Sequence, residues 1–216
     1  VLVGDFLIAR TFQLMIEDGS LKVLKLISDA SATIAEGEVF QLLTANNTKT
    51  SVDDYMQVIR AKTAALFEAA TQIGGIVQGS DENVLEKLAS FGLNLGVAFQ
   101  LADDIIDYTS TAEDLGKSQG DDFREGKITL PVVLAYERGT DEEKAFWRRC
   151  LEDMEQNEED FATALRLLEK YNAIAESKQT AFTYSNKAIE CLHAFPDSSI
   201  RDALIEACAF SVDRLY

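Results

Sequence analysis

The sequence predicts an all-α domain, and three observations carry that prediction. Only two prolines, Pro131 and Pro196, interrupt 216 residues, so long helices can run without losing a backbone hydrogen bond or meeting a ring clash. No segment shows the sustained alternation of apolar and polar residues that a half-buried strand needs. The stretch from Leu88 to Tyr108 is instead apolar nearly all round in its second half, as a helix in the middle of a bundle should be. A chain of this length buries one good core, and nothing divides residues 1–216 into two domains.

The elements follow from local signals. Leu2 to Glu17 reads as a helix that Asp18-Gly19 closes, with Ser20 placed to cap the next, Leu21 to about Leu43. After the polar linker Asn46 to Thr50, Ser51 caps a third helix from Val52 to about Ile73, which Gly74-Gly75 loosens or ends. Gly79 and Ser80 form the next stop and start, and the central helix runs from Asp81 to about Tyr108, with Gly92 and Gly96 as close-packing positions. Thr109 to Gly126 is a polar, glycine-spaced loop. Pro131 suits the first turn of a short helix that Gly139 stops, and Thr140 with Glu143 makes a capping box for a helix through Met154. The acidic linker Glu155 to Asp160 precedes a helical stretch from Phe161 to His193 with room for a break, and Ser199 to Arg214 finishes the chain.

Composition excludes several function classes. Aspartate and glutamate number 37 against 20 lysines and arginines, a net charge of −17, so nucleic acid is excluded as a partner, because phosphate backbones attract basic surfaces. Cys150, Cys191 and Cys208 are odd in number and lack CxxC pairing, which suits reduced thiols in a cytoplasmic protein and gives zinc no support. The single histidine, His193, has no triad partners in view. Asn94, Gln100 and Asp103 interrupt the apolar run around Gly96, so no transmembrane helix is expected.

The run that ends in LADDIIDY carries the chemistry. Asp103 and Asp107 lie one turn apart on a helix face with Asp104 beside them, among apolar neighbours. Carboxylates crowded there repel one another and lose water unless a hard cation shares them, and an oxygen-only set suits Mg²⁺. A solvated helix end is the plain alternative. Downstream come Gly116-Lys117 and then GDDFREGKITLP, where cations alternate with glycines, which is what a metal-bridged diphosphate needs. Tyr55, Ile59, Lys62, Leu66, Ala69 and Ile73 recur at four- and three-residue spacing and so share one face, placing a lysine in an apolar stripe. That lysine either snorkels to water or points into a cavity where an anion pairs with it.

FQLADDIIDY followed by GKSQGDDFREGKITLP resembles the second aspartate-rich region of the trans-isoprenyl diphosphate synthases, especially the long-chain octaprenyl and decaprenyl type. GDFLIARTFQL, IAEGEVFQL and VIRAKTAALFEAA extend the likeness over most of the chain. The resemblance implies the isoprenoid-synthase helical bundle, and a cytoplasmic, homodimeric prenyltransferase that uses Mg²⁺ to condense isopentenyl diphosphate with an allylic diphosphate, for quinone side chains. A short-chain farnesyl or geranylgeranyl synthase, a terpene cyclase and a noncatalytic partner subunit are the alternatives. The resemblance also implies Asp103, Asp104 and Asp107 as metal ligands, Lys62, Thr63 and Gln100 as catalytic side chains, and Lys62, Phe99, Gln100, Lys117 and Lys127 as substrate-binding. Ala35 and Gly37 either leave room for a growing apolar product or pack closely against a neighbour. The family's first aspartate-rich region and its isopentenyl diphosphate residues lie upstream of the segment that GDFLIARTFQL resembles. The sequence therefore resembles the carboxy-terminal two-thirds of a synthase, without the bundle's amino-terminal helices, and by itself is expected to lack prenyl transfer.

Overall fold

The helices begin and end largely where capping chemistry places them. In the computed structural model, which describes residues 1–109 and 119–214, α1 (Leu2–Asp18) ends at Gly19, whose φ of 73° lies in the left-handed region that glycine enters without steric cost. α2 (Leu21–Thr44) starts under Ser20, whose hydroxyl accepts from the Val23 N–H. α3 (Val52–Ile59) starts in a reciprocal cap between Ser51 and Asp54. Arg60–Ala64 then form a π-helical turn, and α4 (Ala65–Gln78) continues to Gly79. The central α5 is Glu82–Thr109. After it come α6 (Asp121–Arg124), α7 (Leu130–Arg138), α8 (Asp141–Leu151), α9 (Asp160–Lys170), α10 (Ala173–Leu192) and α11 (Ser199–Asp213). The described residues contain no strand.

Three expectations are corrected. Gly74-Gly75 does not end the helix, because a Cβ at Gly75 would fall 2.6 Å from Leu85 and 2.7 Å from Leu88: the missing side chain serves packing, and Gly79 provides the stop. The helix after Thr140 ends at Leu151 rather than Met154, which takes a positive φ of 57°. The even stripe from Tyr55 to Ile73 is broken by the π turn, whose extra residue rotates α4 relative to α3; Leu66 is 54% exposed whereas Ala64 is fully buried.

α5 lies at the centre, packed chiefly against α10 and α4. Val97, Ala98, Leu101, Ala102 and Ile105 are fully buried along it, and a side chain of leucine size contributes roughly 1.5–3 kcal/mol when buried. The approach to α4 and the π turn before it is closer than side chains would allow. A Cβ at Gly92 would meet the Phe67 carbonyl oxygen at 2.4 Å, and one at Gly96 would meet the Ala64 Cα at 2.6 Å. A second core gathers Tyr108, Phe123, Trp147 and Phe161, with Phe123 and Phe161 ring centres 5.7 Å apart. It lies beneath residues 119–128 and pins that segment against the end of α5, with the Asp107 carbonyl accepting from Gly120 N–H at 2.9 Å.

Candidate active site

A cavity of about 430 Å³ opens beside the carboxy-terminal half of α5. Gln41 from α2, Tyr55 and Ile59 from α3, Lys62 and Thr63 from the π turn, Gln100, Asp103 and Asp104 from α5, and Lys127 line it. Lys62 and Thr63, adjacent in the π turn, both serve this wall.

The polar side chains form two groups, a network centred on Asp104 and a smaller one around Lys62. The Thr63 hydroxyl donates to Gln100 Oε1 at 2.7 Å, and Gln100 Nε2 donates to Asp104 Oδ1 at 2.9 Å. Asp104, 1% exposed, also accepts from the Tyr55 hydroxyl at 2.6 Å on Oδ2 and from Lys127 Nζ at 2.8 Å on Oδ1. Lys127 Nζ reaches Asp122 Oδ2 at 2.8 Å as well. Lys62 Nζ donates to Gln41 Oε1 at 2.7 Å and pairs with Glu38 at 3.2 Å, so its ammonium sits at the cavity edge between water and site.

The three acids of the motif differ in placement. Asp103 is exposed and lines the cavity. Asp104 is buried in the network. Asp107 is half-buried and its two oxygens accept from the backbone N–H groups of Asp121 and Asp122, at 3.2 and 3.1 Å, which satisfies free donors at the start of α6. Among the described residues no three His, Cys, Asp or Glu side chains converge as a ready-made metal site.

Burial first, and crowded negative charge second, shape the electrostatics. Burial pushes the Asp122 carboxyl up to about 6 against the pull of Lys127, with Asp104 and Asp107 adding to the rise. Burial likewise raises Asp107, although the two N–H groups it accepts from oppose it. For Lys127 burial works against the ammonium, yet Asp104 and Asp122 outweigh it and hold the group above its usual range. Tyr55 is raised by burial first and by Asp104 second, so its proton stays on the phenol. Oxygen donors with excess negative charge beside an open cavity fit a hard cation whose remaining ligands come from substrate.

Of the residues singled out in the sequence, Lys62, Thr63, Gln100, Asp103, Asp104 and Lys127 meet at this cavity, and Lys117 lies outside the described residues. Phe99 is not among the lining residues: its ring sits 5.6 Å from Phe67 and under the Arg214 guanidinium at 5.1 Å. Lys127 faces two carboxylates rather than standing as an uncommitted ammonium. Gly37 offers no space for a product, since a Cβ there would meet Ala61 Cβ at 2.8 Å and Lys62 N at 2.9 Å, and Ala35 is exposed. Tyr55, Gln41 and Glu38 were not singled out as site residues. Tyr55 shares the Lys62 stripe and is the stripe's one hydroxyl, a signal that could have found it; nothing in the sequence points to the other two.

Residues 1–168 match the sequence model of the family described as polyprenyl synthetase. The chain is 40% identical over 216 residues to octaprenyl diphosphate synthase of Haemophilus influenzae, covering all of this chain and 65% of that protein. It is 42% identical over 214 residues to octaprenyl diphosphate synthase of Escherichia coli (strain K12), covering 99% of this chain and 66% of that one. Its structure resembles a decaprenyl diphosphate synthase from Rhodobacter capsulatus with a TM-score of 0.94 and 42% identity, over 100% of this chain and 66% of the other. A polyprenyl synthase from Caulobacter crescentus CB15, solved with calcium and isoprenyl diphosphate, gives a TM-score of 0.94 at 46% identity, again over 100% and 66%. The chain thus spans just under two thirds of the length of the relatives named first. The match over residues 1–168, the identities of 40% and more and the shared all-α fold agree: this chain belongs to the polyprenyl synthetase family.

Proposed function

We propose that the protein is a long-chain trans-polyprenyl diphosphate synthase, condensing isopentenyl diphosphate with an allylic diphosphate to make a quinone side chain. One observation carries most of the weight: Lys62, Thr63, Gln100 and Asp103, drawn from two helical segments, line a single cavity. The octaprenyl and decaprenyl relatives support the chain length, and calcium with isoprenyl diphosphate in the Caulobacter crescentus protein supports a hard cation and a prenyl diphosphate here.

Asp103, which faces the cavity, would hold Mg²⁺ together with substrate oxygens, whereas Asp107 stands off the cavity with both oxygens on the Asp121 and Asp122 N–H groups. When bound the cation neutralises the departing diphosphate. Lys62 binds a diphosphate at the cavity edge, with Gln41 and Glu38 aiming its ammonium, and Lys117 is proposed for the same substrate. Thr63 and Gln100 set the polar edge of the cavity, while Ile59, Val58 and Leu42 give it apolar wall that keeps water from an allylic cation. A homodimer is proposed as well; α1, where Phe6 is 66% and Ile16 71% exposed, offers apolar surface that a second copy or further chain would cover.

Incubation of the natural full-length protein with labelled isopentenyl diphosphate, an allylic diphosphate and Mg²⁺, followed by reverse-phase separation of the dephosphorylated products, tests the assignment. Products of eight isoprene units or more are expected. A dominant product of four units or fewer would refute the long-chain reading, and no incorporation would refute prenyl transfer. Lys62→Ala should weaken binding of inorganic diphosphate about tenfold yet leave stability nearly unchanged, because an exposed ion pair contributes little; unaltered binding would make Lys62 a snorkelling lysine.

A further inference from the structure

We infer that the three acids of the Asp103-Asp104-Ile105-Ile106-Asp107 motif do different work, and that Asp104, held by Tyr55, is a positioning residue for Gln100 and Lys127 rather than a ligand for the cation. The inference rests on the prenyl-transfer reading and deepens it.

The geometry separates the three. Asp104 is 1% exposed and has both oxygens engaged: Oδ2 by the Tyr55 hydroxyl at 2.6 Å, Oδ1 by Gln100 Nε2 at 2.9 Å and Lys127 Nζ at 2.8 Å. Oδ1 already carries two donors, and Oδ2 lies in a side chain 1% exposed against the buried Tyr55 phenol, so a cation reaching either would have to disturb a buried hydrogen bond, which costs free energy. Asp103, one residue earlier, is exposed at the cavity. Asp107 holds the N–H groups of Asp121 and Asp122 and so ties the returning segment to α5.

Tyr55 is what fixes Asp104. It is 3% exposed and comes from α3, so the bond joins two helices that both wall the cavity. A carboxylate fastened on one oxygen presents the other in a set direction. Gln100 is then oriented with its amide toward Asp104 and its carbonyl toward the Thr63 hydroxyl at 2.7 Å, and Lys127 is drawn in between Asp104 and Asp122. Loss of the phenol oxygen alone should therefore loosen Gln100 and Thr63 without removing a group that touches metal or substrate.

The test compares Tyr55→Phe, Asp104→Asn, Asp103→Asn and the Tyr55→Phe/Asp104→Asn pair in the natural full-length protein. Thermal melts verify folding, calorimetry measures Mg²⁺ binding in the presence of inorganic diphosphate, and turnover is followed with labelled isopentenyl diphosphate. Asp103→Asn should raise the Mg²⁺ requirement about tenfold, whereas Tyr55→Phe should leave it within about twofold and lower kcat about tenfold with KM little changed, as expected for a misplaced rather than missing group. The double variant should be no slower than Asp104→Asn alone, because Tyr55 acts through Asp104. A Mg²⁺ requirement raised by Tyr55→Phe or Asp104→Asn would make Asp104 a ligand and overturn the inference, as would a kcat unaffected by Tyr55→Phe. Absence of wild-type turnover would count against prenyl transfer alone, since calorimetry still decides between ligand and anchor.

Discussion

The same substitution should have opposite effects at two glycines of one helix pair. At Gly92 an alanine Cβ would stand 2.3 Å from Thr71 Oγ1, 2.4 Å from the Phe67 carbonyl oxygen and 2.8 Å from Glu68 Cα. Two of those three atoms are α4 backbone and cannot rotate aside, so α4 and α5 must separate. Overpacking of this kind costs about 1–3 kcal/mol. The separation also stretches the 2.7 Å bond from the Thr71 hydroxyl to the Leu88 carbonyl, about 1 kcal/mol more. Against this, alanine in place of glycine inside a helix returns about 1 kcal/mol, leaving a net loss of about 1–3 kcal/mol. At Gly74, which is helical and exposed, nothing lies within 4 Å of the added Cβ, so only the propensity gain remains, about 0.5–1 kcal/mol of stabilisation. Urea unfolding followed by helical ellipticity at equal protein concentration measures both. A Gly92→Ala protein as stable as wild type, or a Gly74→Ala protein less stable by more than about 1 kcal/mol, would refute the claim that close helix approach sets these positions.

Other expected outcomes concern the ion pairs and the second core. Glu143 accepts from Lys170 at 2.6 Å, from the Tyr171 hydroxyl and from Thr140 N–H, and these hold its carboxyl down to about 2. A depressed carboxyl contributes stability above its unfolded value near 4.5, lost as pH falls toward 2, so the cost of Glu143→Gln in urea melts should shrink between pH 6 and pH 3; a constant cost would refute it. Lys127→Met leaves Asp104 and Asp122 without their shared ammonium and should cost about 3–5 kcal/mol, with a loss under about 1 kcal/mol in chemical denaturation showing that water replaces it. Phe123→Ala empties a site that is 1% exposed between Trp147 and Phe161; about 3–5 kcal/mol of lost stability is expected by the same assay, and faster hydrogen exchange in residues 119–128 should accompany it.

Much of the fold was legible because it is written in short-range chemistry. Ser20, Ser51 and Thr140 each cap the helix they were expected to cap, since a hydroxyl two or three residues ahead of a free N–H needs no distant partner. Gly92 and Gly96 were legible as close-packing positions for a similar reason: glycine inside an apolar helix has few other uses. The π turn at Arg60–Ala64 was not legible. It is stabilised by its contacts with α2 and α5, and a period count assumes the regular helix that the turn interrupts. The differing burial of Asp103, Asp104 and Asp107 was hidden for the same reason, because it depends on Tyr55 and Lys127, which lie 49 and 23 residues away from Asp104.

The site also breaks a rule that α8 keeps. Carboxylates suit helix amino termini, where the dipole is positive, and are disfavoured by roughly 0.3–1 kcal/mol each at the other end. α8 obeys this with Asp141, Glu142 and Glu143 in its first turn and Arg148 and Arg149 in its last. α5 does the reverse: Asp107 lies in its last turn and Asp103 and Asp104 just before it, with no basic residue in the last turn. The protein compensates part of that charge internally, through Lys127 on Asp104 and through the N–H groups of Asp121 and Asp122 on Asp107. The remainder shows in Asp103, which faces the cavity, while Asp122 is driven up to about 6 by burial first, with Asp104 and Asp107 adding to the rise. Local conflicts of this size persist where a ligand relieves them, and under the proposed function the relief comes with the positive charge that metal and substrate bring to the cavity. A cation that arrives with a diphosphate serves this better than a cation alone, because the few carboxylate oxygens left open at the cavity cannot complete its shell and the diphosphate oxygens can.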